Sequence, residues 1–323
     1  MKKILLTAMG AFALLGATTS ASAACDSKVS IGAMGWASGE TITAIASFLM
    51  QAGYGCEVQV VPTDTVPGVT SLAENNKPDI VPEVWVNSAT MYTDLVEEGK
   101  VVTAAKTFAE GGLEGWWIPK YLADAHPELT TIEGVLANPE LVGGRFHNCP
   151  VGWGCRVAND SLKVAFDLEG NGIEVFDHGS GANLATSIAA AYADEKPWFG
   201  YYWGPTAILG KYPMVKVDLG GVNPEIHSCN QNPDCSEVGI SDYPAAQVVT
   251  AVTTTFANDN PEIAEMMSKM SLPNTVVNEL LAWKEDNNAT ADEAAAHFLQ
   301  NYADLWSTWV SEEANANLAA LRG

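Results

Sequence analysis

Short apolar runs alternate with stretches of helical periodicity along the first hundred residues, and that alternation restricts the chain to an α/β architecture. Val29 to Met34 reads as a strand. It ends in Gly35-Trp36-Ala37-Ser38-Gly39-Glu40, after which Ile42, Ile45, Ala46 and Leu49 recur at helical spacing. Ser38 is the expected N-cap. Glu57–Val61 reads as a second strand, Val69–Glu74 as a short helix, Pro78–Trp85 as a further strand, and Tyr92–Gly99 as the end of a helix closed by glycine. Such alternation implies a mostly parallel sheet covered on both faces. Ligands of these sheets lie beyond the carboxyl ends of the strands, which is where Trp36 and Trp85 both fall.

The pattern recurs after an interruption. Gly111-Gly112-Leu113-Glu114-Gly115 carries three glycines in five positions and is the candidate hinge. A second α/β block follows, with helix-like segments at Ile132–Ala137 and Asn183–Ala193. Next comes Trp198-Phe199-Gly200-Tyr201-Tyr202-Trp203-Gly204-Pro205, aromatic at five of eight positions. A β-rich stretch around Tyr243–Thr255 is expected to return the chain to the first lobe, and the C-terminal third reads as helical. The expected organisation is residues 24–112 and 244–323 in one lobe and 113–243 in the other. A chain of 323 residues can build two such cores.

The N-terminus sets the compartment. Lys2 and Lys3 precede a short apolar stretch, Ile4 to Ala17, and Ala21-Ser22-Ala23 offers a small-residue cleavage site. Residues 1–23 therefore read as a signal peptide directing the chain to the periplasm. Cys25 as a lipidated N-terminal residue is the alternative, and Ser22, where a lipoprotein signal usually carries leucine, weighs against it. The formal net charge is −23, and removal of Lys2 and Lys3 makes it more negative. That balance opposes nucleic acid or an anionic membrane surface as a partner and is also a simple route to solubility. Six cysteines in an exported chain read as disulfides, most simply Cys25–Cys56, Cys149–Cys155 and Cys229–Cys235. Zinc on the two Cys-x5-Cys pairs is the rival reading, against which stand the knuckle spacing and the oxidising compartment.

Chemistry is concentrated in the tryptophans, which number ten against nine phenylalanines and nine tyrosines. An indole face holds a desolvated cation with about 0.5–2 kcal/mol per contact. Several faces together approach the roughly 8 kcal/mol of micromolar affinity. Trp283, Trp306 and Trp309 lie in helical sequence and read as packing. Trp116 and Trp117 point opposite ways if they form a strand, so only one faces a cleft; Trp117 is a candidate. Trp36, Trp85, Trp153 and Trp203 lie beside Gly or Pro or at strand ends and read as ligand-facing. Trp153 sits in Cys149-Pro150-Val151-Gly152-Trp153-Gly154-Cys155, a loop that a disulfide would make rigid.

The Cys-Pro-Val-Gly-Trp-Gly-Cys loop, followed some fifty residues later by Tyr-Tyr-Trp-Gly-Pro, resembles the glycine betaine/proline betaine/choline-type substrate-binding proteins of ABC importers. The resemblance implies a type II periplasmic binding protein of two α/β lobes that close on a ligand and deliver it to an inner-membrane permease. It implies that Trp85, Trp153 and Trp203 box a trimethylammonium group and that the backbone N–H groups of Gly154 and Cys155 receive a ligand carboxylate. Trp36 matches a cage aromatic of choline-binding relatives, which place an acid two residues later; here that position is Ser38. Betaine-binding relatives carry a histidine shortly after the position of Trp85, whereas Val86-Asn87-Ser88-Ala89 has none. Glu114, beside the hinge glycines, reads either as a cleft carboxylate for a cation or protonated N-oxide, or as a solvated hinge acid.

Other signals are weaker. Asp167-Leu168-Glu169-Gly170-Asn171-Gly172 begins like a calcium loop but has His178 where a bidentate acid is needed, so it reads as a turn. No nucleophile motif, phosphate loop or zinc-protease motif is present. An amino-acid ligand would call for an arginine clamp, and Arg145, Arg156 and Arg322 sit in no such motif. The expected protein is a monomer without cofactor or metal. It binds a small cationic or zwitterionic methylated osmolyte, glycine betaine or a relative, with choline or trimethylamine N-oxide as alternatives and a secreted enzyme on a quaternary amine as the reading from another class.

Overall fold

The computed structural model describes residues 24, 25 and 27–321; the expected signal peptide and Arg322 lie outside them. The strands are β1 (Val29–Met34), β2 (Val58–Thr63), β3 (Ile80–Trp85), β4 (Val101–Lys106), β5 (Leu113–Pro119), β6 (Arg145–Asn148), β7 (Glu174–Asp177), β8 (Gly200–Gly204), β9 (Met214–Lys216) and β10 (Val248–Thr253). They form two five-stranded sheets, ordered β2-β1-β3-β10-β4 and β7-β6-β8-β5-β9. Both are mixed. β1 runs parallel to β2 and β3, and β6 parallel to β7 and β8, whereas β10 and β5 pair antiparallel with their neighbours. The β-rich return expected after Tyr243 is β10, which enters the first sheet between β3 and β4.

Apolar periodicity builds the layers. In the helix Ala37–Phe48 and just beyond it, Ile42, Ile45, Ala46 and Leu49 are all buried, as their spacing predicts. The helix Ala291–Asn301, late in the chain, packs on Ala37–Phe48. That late helix starts in a capping box between Thr290 and Glu293. In the second lobe, the fully buried Trp116 packs among Phe146, Phe166 and Phe199. Its indole donates to Asn159 Oδ1 at 2.8 Å. Trp306 is buried, Trp309 stacks on Phe298, and Trp283 stacks on His297 at 3.9 Å, so these three serve packing as their sequence context suggests.

Two details correct the sequence reading. The N-cap of Ala37–Phe48 is Trp36, with extended backbone and no side-chain cap; Ser38 lies inside the first turn and points inward. Of the three candidate hinge glycines, Gly115 belongs to β5, and the space a Cβ would need there is filled by Lys216. The crossing itself is narrow: Gly112 and Ala246 exchange backbone hydrogen bonds of 2.8 and 3.0 Å, so the outgoing and returning segments are tied together. A Cβ on Gly112 would lie 2.2 Å from the Trp85 ring, which explains the residue type.

All six cysteines are paired, as Cys25–Cys56, Cys149–Cys155 and Cys229–Cys235. This leaves no thiolate for the zinc reading. The Asp167–Gly172 segment is a turn, with Asp167 and Gly172 at positive φ. Among the described residues, no helix is long and apolar enough to cross a membrane.

Candidate functional site: a tryptophan cage between the lobes

The carboxyl ends of the parallel strands of both sheets face one another, and four tryptophans meet there. Trp36 follows β1 and Trp85 ends β3; these strands are parallel, so both rings emerge at one edge of the first sheet. Trp203 lies near the end of β8, and Trp153 follows β6, which is parallel to β8. The rings line a small cavity of about 20 Å³. Trp153 stands edge-on to Trp36 at 4.9 Å and to Trp203 at 5.0 Å, so it bridges the lobes. Trp85 is held from behind by Phe108. All four are nearly buried, at 5–7 % exposure, the dry setting in which indole faces attract cations most strongly.

Glu114 also lines the cavity. It is the second residue of β5, directly opposite Trp203 on β8. The Tyr201 hydroxyl donates to its Oε1 at 2.8 Å and the Ser88 hydroxyl at 3.1 Å. Burial pushes its carboxyl above the usual carboxylate range, opposed by these two donors and by the positive charge of Lys216. Of the two readings open from the sequence, the solvated hinge acid is overturned: Glu114 is 2 % exposed. A second acid, Glu83, lies behind the cage. Its Oε1 accepts from the Trp36 indole at 2.6 Å, the Trp85 indole at 2.9 Å and the Ser38 hydroxyl at 3.0 Å.

The cysteine loop forms the remaining wall. Its disulfide closes a turn in which Gly152 has φ +93°, a conformation that favours glycine. The carbonyl of Gly152 accepts from the Val66 N–H of the first lobe at 3.1 Å. Beside it, burial raises the Asp64 carboxyl, opposed by the Trp153 indole and the Gly35 amide. Gly154 and Cys155 line the cavity and open the helix Gly154–Ala165, so their N–H groups have no intrahelical partner and sit at the positive end of the helix.

The nine sequence-predicted ligand positions can all be placed. Trp36, Trp85, Trp153, Gly154, Cys155, Trp203 and Glu114 converge on the cavity, and Ser38 stands outside its lining, bonded to Glu83. Trp117 is not part of the lining either. Period-2 alternation puts it on the face of β5 opposite Glu114, where its indole donates to the Tyr202 carbonyl at 3.0 Å. Sequence reasoning missed Thr65, Ser88 and Tyr201 in the lining, and Glu83 behind it. Two of these had a signal. Tyr201 is two residues from Trp203 on one strand, hence on the same face. Glu83 is an acid inside a strand whose every other residue is apolar. Arg145 and Arg156, weighed as clamps, are engaged away from the cavity, with Glu174 and with Asp160 and Asp177 respectively.

Comparison with known proteins agrees with this geometry. The chain is 22% identical over 223 residues to the glycine betaine/proline betaine-binding periplasmic protein of Escherichia coli K12, covering 64% of this chain and 66% of that protein. In three dimensions it resembles a choline-binding protein of an ABC transporter solved with choline, with a TM-score of 0.74 and 19% identity over 91% of this chain and 98% of the other. It also resembles the lactococcal protein solved closed on glycine betaine, with a TM-score of 0.68 and 18% identity over 88% of this chain and 100% of the other. These likenesses establish the two-lobed fold. The family model for the substrate binding domain of ABC-type glycine betaine transport systems matches residues 27–301, and the chain belongs to that family.

Proposed function

We propose that this protein captures a small methylated ammonium compound between Trp36, Trp85, Trp153 and Trp203 by closure of two lobes, and presents it to an ABC permease. The observation that carries this reading is the convergence of four nearly buried indoles from both sheets on one small cavity. The ligand's cation exchanges its water for ring faces, worth about 0.5–2 kcal/mol each. Contacts made only when the lobes meet shift the protein toward the closed form. In this reading residues 24–112 and 244–323 form one lobe and 113–243 the other, which agrees with sheet membership and with the Gly112–Ala246 crossing. Residues 1–23 direct export to the periplasm, and the protein acts as a monomer without catalysis.

Glycine betaine fits the amides of Gly154 and Cys155 as a seat for its carboxylate. A second reading is favoured by Glu114. An acid in the cavity wall suits a ligand that brings a hydroxyl or a protonated oxide in place of a carboxylate, as choline or trimethylamine N-oxide does. Calorimetry with glycine betaine, choline, trimethylamine N-oxide, dimethylsulfoniopropionate and carnitine tests the proposal. At least one should bind, and Trp153→Ala should weaken it by roughly tenfold or more. Near-normal affinity in that variant would remove the cage assignment.

A further inference from the structure

Trp36 and Trp85 reach the cavity from different strands, yet their N–H groups converge on one atom, Oε1 of Glu83, which also accepts from Ser38. The other carboxyl oxygen, Oε2, is buried without a hydrogen-bond partner in the structure. Glu83 is 1 % exposed in a strand buried along its whole length. Folding alone gives no reason for an acid here. Buried indoles outside the cage donate to neutral acceptors: Trp117 and Trp306 to the carbonyls of Tyr202 and Leu299, Trp116 to the Asn159 side-chain amide and Trp198 to the Ser187 hydroxyl. A buried carboxylate with an unpartnered oxygen costs stability.

We propose that Glu83 is the buried counter-charge of the cage, a positioning residue that fixes Trp36 and Trp85 and deepens their attraction for the ligand's cation. The inference rests on the cage reading above. An anion accepting from an indole N–H pushes electron density onto the ring, and the negative potential of the ring face is what a cation feels. One charge thereby serves two of the four rings. Burial lifts the Glu83 carboxyl to about 7, with Trp85, Trp36 and Ser38 opposing, and a cation in the cage would stabilise its ionised form. The other acids on the surrounding elements are Glu114 on β5, which has Lys216 near it, Asp64 at the head of the helix Thr65–Asn75, and the exposed Glu40 of the helix that carries Ser38. Cation binding and Glu83 ionisation must then favour each other reciprocally.

The test compares choline with 3,3-dimethylbutan-1-ol, which has the same shape with carbon in place of the charged nitrogen. Glu83→Gln keeps an acceptor for the indoles and removes the charge. Its choline affinity should fall by about tenfold or more, while its affinity for the neutral probe changes by less than about twofold. Equal losses for both probes, or no loss for choline, would overturn the proposal and leave the cage standing. Where glycine betaine binds and choline does not, the same comparison is made between glycine betaine and its carbon counterpart 3,3-dimethylbutanoate. A wild type that binds none of the five methylated compounds would overturn the cage reading and this inference with it. A second measurement covers a Glu83→Gln protein that does not fold. In Glu114→Gln, choline affinity should weaken as pH falls through about 7, and the neutral probe should show no step. A flat choline profile there counts against Glu83.

Discussion

A Cβ placed on Gly154 would lie 1.8 Å from the carbonyl oxygen of Ser88, so the cysteine loop of one lobe meets the turn after β3 of the other as backbone against backbone. Ser88 also holds Glu114, and this contact therefore sets the cage wall and one of its acids together. Gly154→Ala should hold the lobes apart. Ligand affinity by calorimetry should fall by about tenfold or more, while the thermal midpoint of the ligand-free protein stays within a few degrees.

The three disulfides are expected to separate by role. Cys25–Cys56 closes a span of 31 residues away from the cage and Cys149–Cys155 a span of six at its wall. On the chain-entropy estimate, these constrain the unfolded state by about 4 and about 2 kcal/mol. Replacing Cys25 and Cys56 by serine should lower the melting temperature most and leave affinity nearly intact. Replacing Cys149 and Cys155 should do the reverse, because it frees Trp153 and the two amides. Calorimetry and thermal unfolding of the two double variants decide it.

Glu114→Gln should sort the ligands. It removes a buried charge that favours a cation with a hydroxyl or a protonated oxide and opposes a ligand carboxylate. Affinity for choline should drop by about tenfold or more, and affinity for glycine betaine should fall less or rise. Equal losses for the two ligands would place Glu114 in a purely structural role.

Glu83 should make the ligand-free protein less stable as pH rises. Its carboxyl stands at about 7 in the folded chain against an ordinary 4.5, so the folded state keeps a proton that the unfolded state has released. This contribution is fully present below about 4.5 and is lost as pH climbs through about 7, a change on the order of 3 kcal/mol. Wild type minus Glu83→Gln, followed by thermal unfolding across that range, should show the slope, with Glu83→Gln the more stable of the two at pH 8. A pH-independent difference would contradict the assignment.

Local patterns carried most of the architecture. The strand Val29–Met34 and the helix Ile132–Ala137 coincide with their apolar runs, and the four cage tryptophans stand out by their Gly, Pro or strand-end neighbours. Alternation along β5 could say that Trp116 and Trp117 part company, but not which of them the core would claim. That depended on Phe146, Phe166 and Phe199, which come from three distant segments. Ser38 shows the same limit. Its spacing suggested a cap, yet its hydroxyl went to Glu83, forty-five residues away.

By itself, then, the sequence determined the alternation of strand and helix, the local disulfide pairs and the set of rings, because periodicity, short loops and residue type act over neighbours. Only the tertiary structure decided that Trp36 and Trp85 would share one carboxylate oxygen, that Glu114 would be buried opposite Trp203, and that Trp153 would touch Trp36 across the lobes. Those outcomes follow from the order and direction of strands in two sheets, which no single stretch of chain encodes.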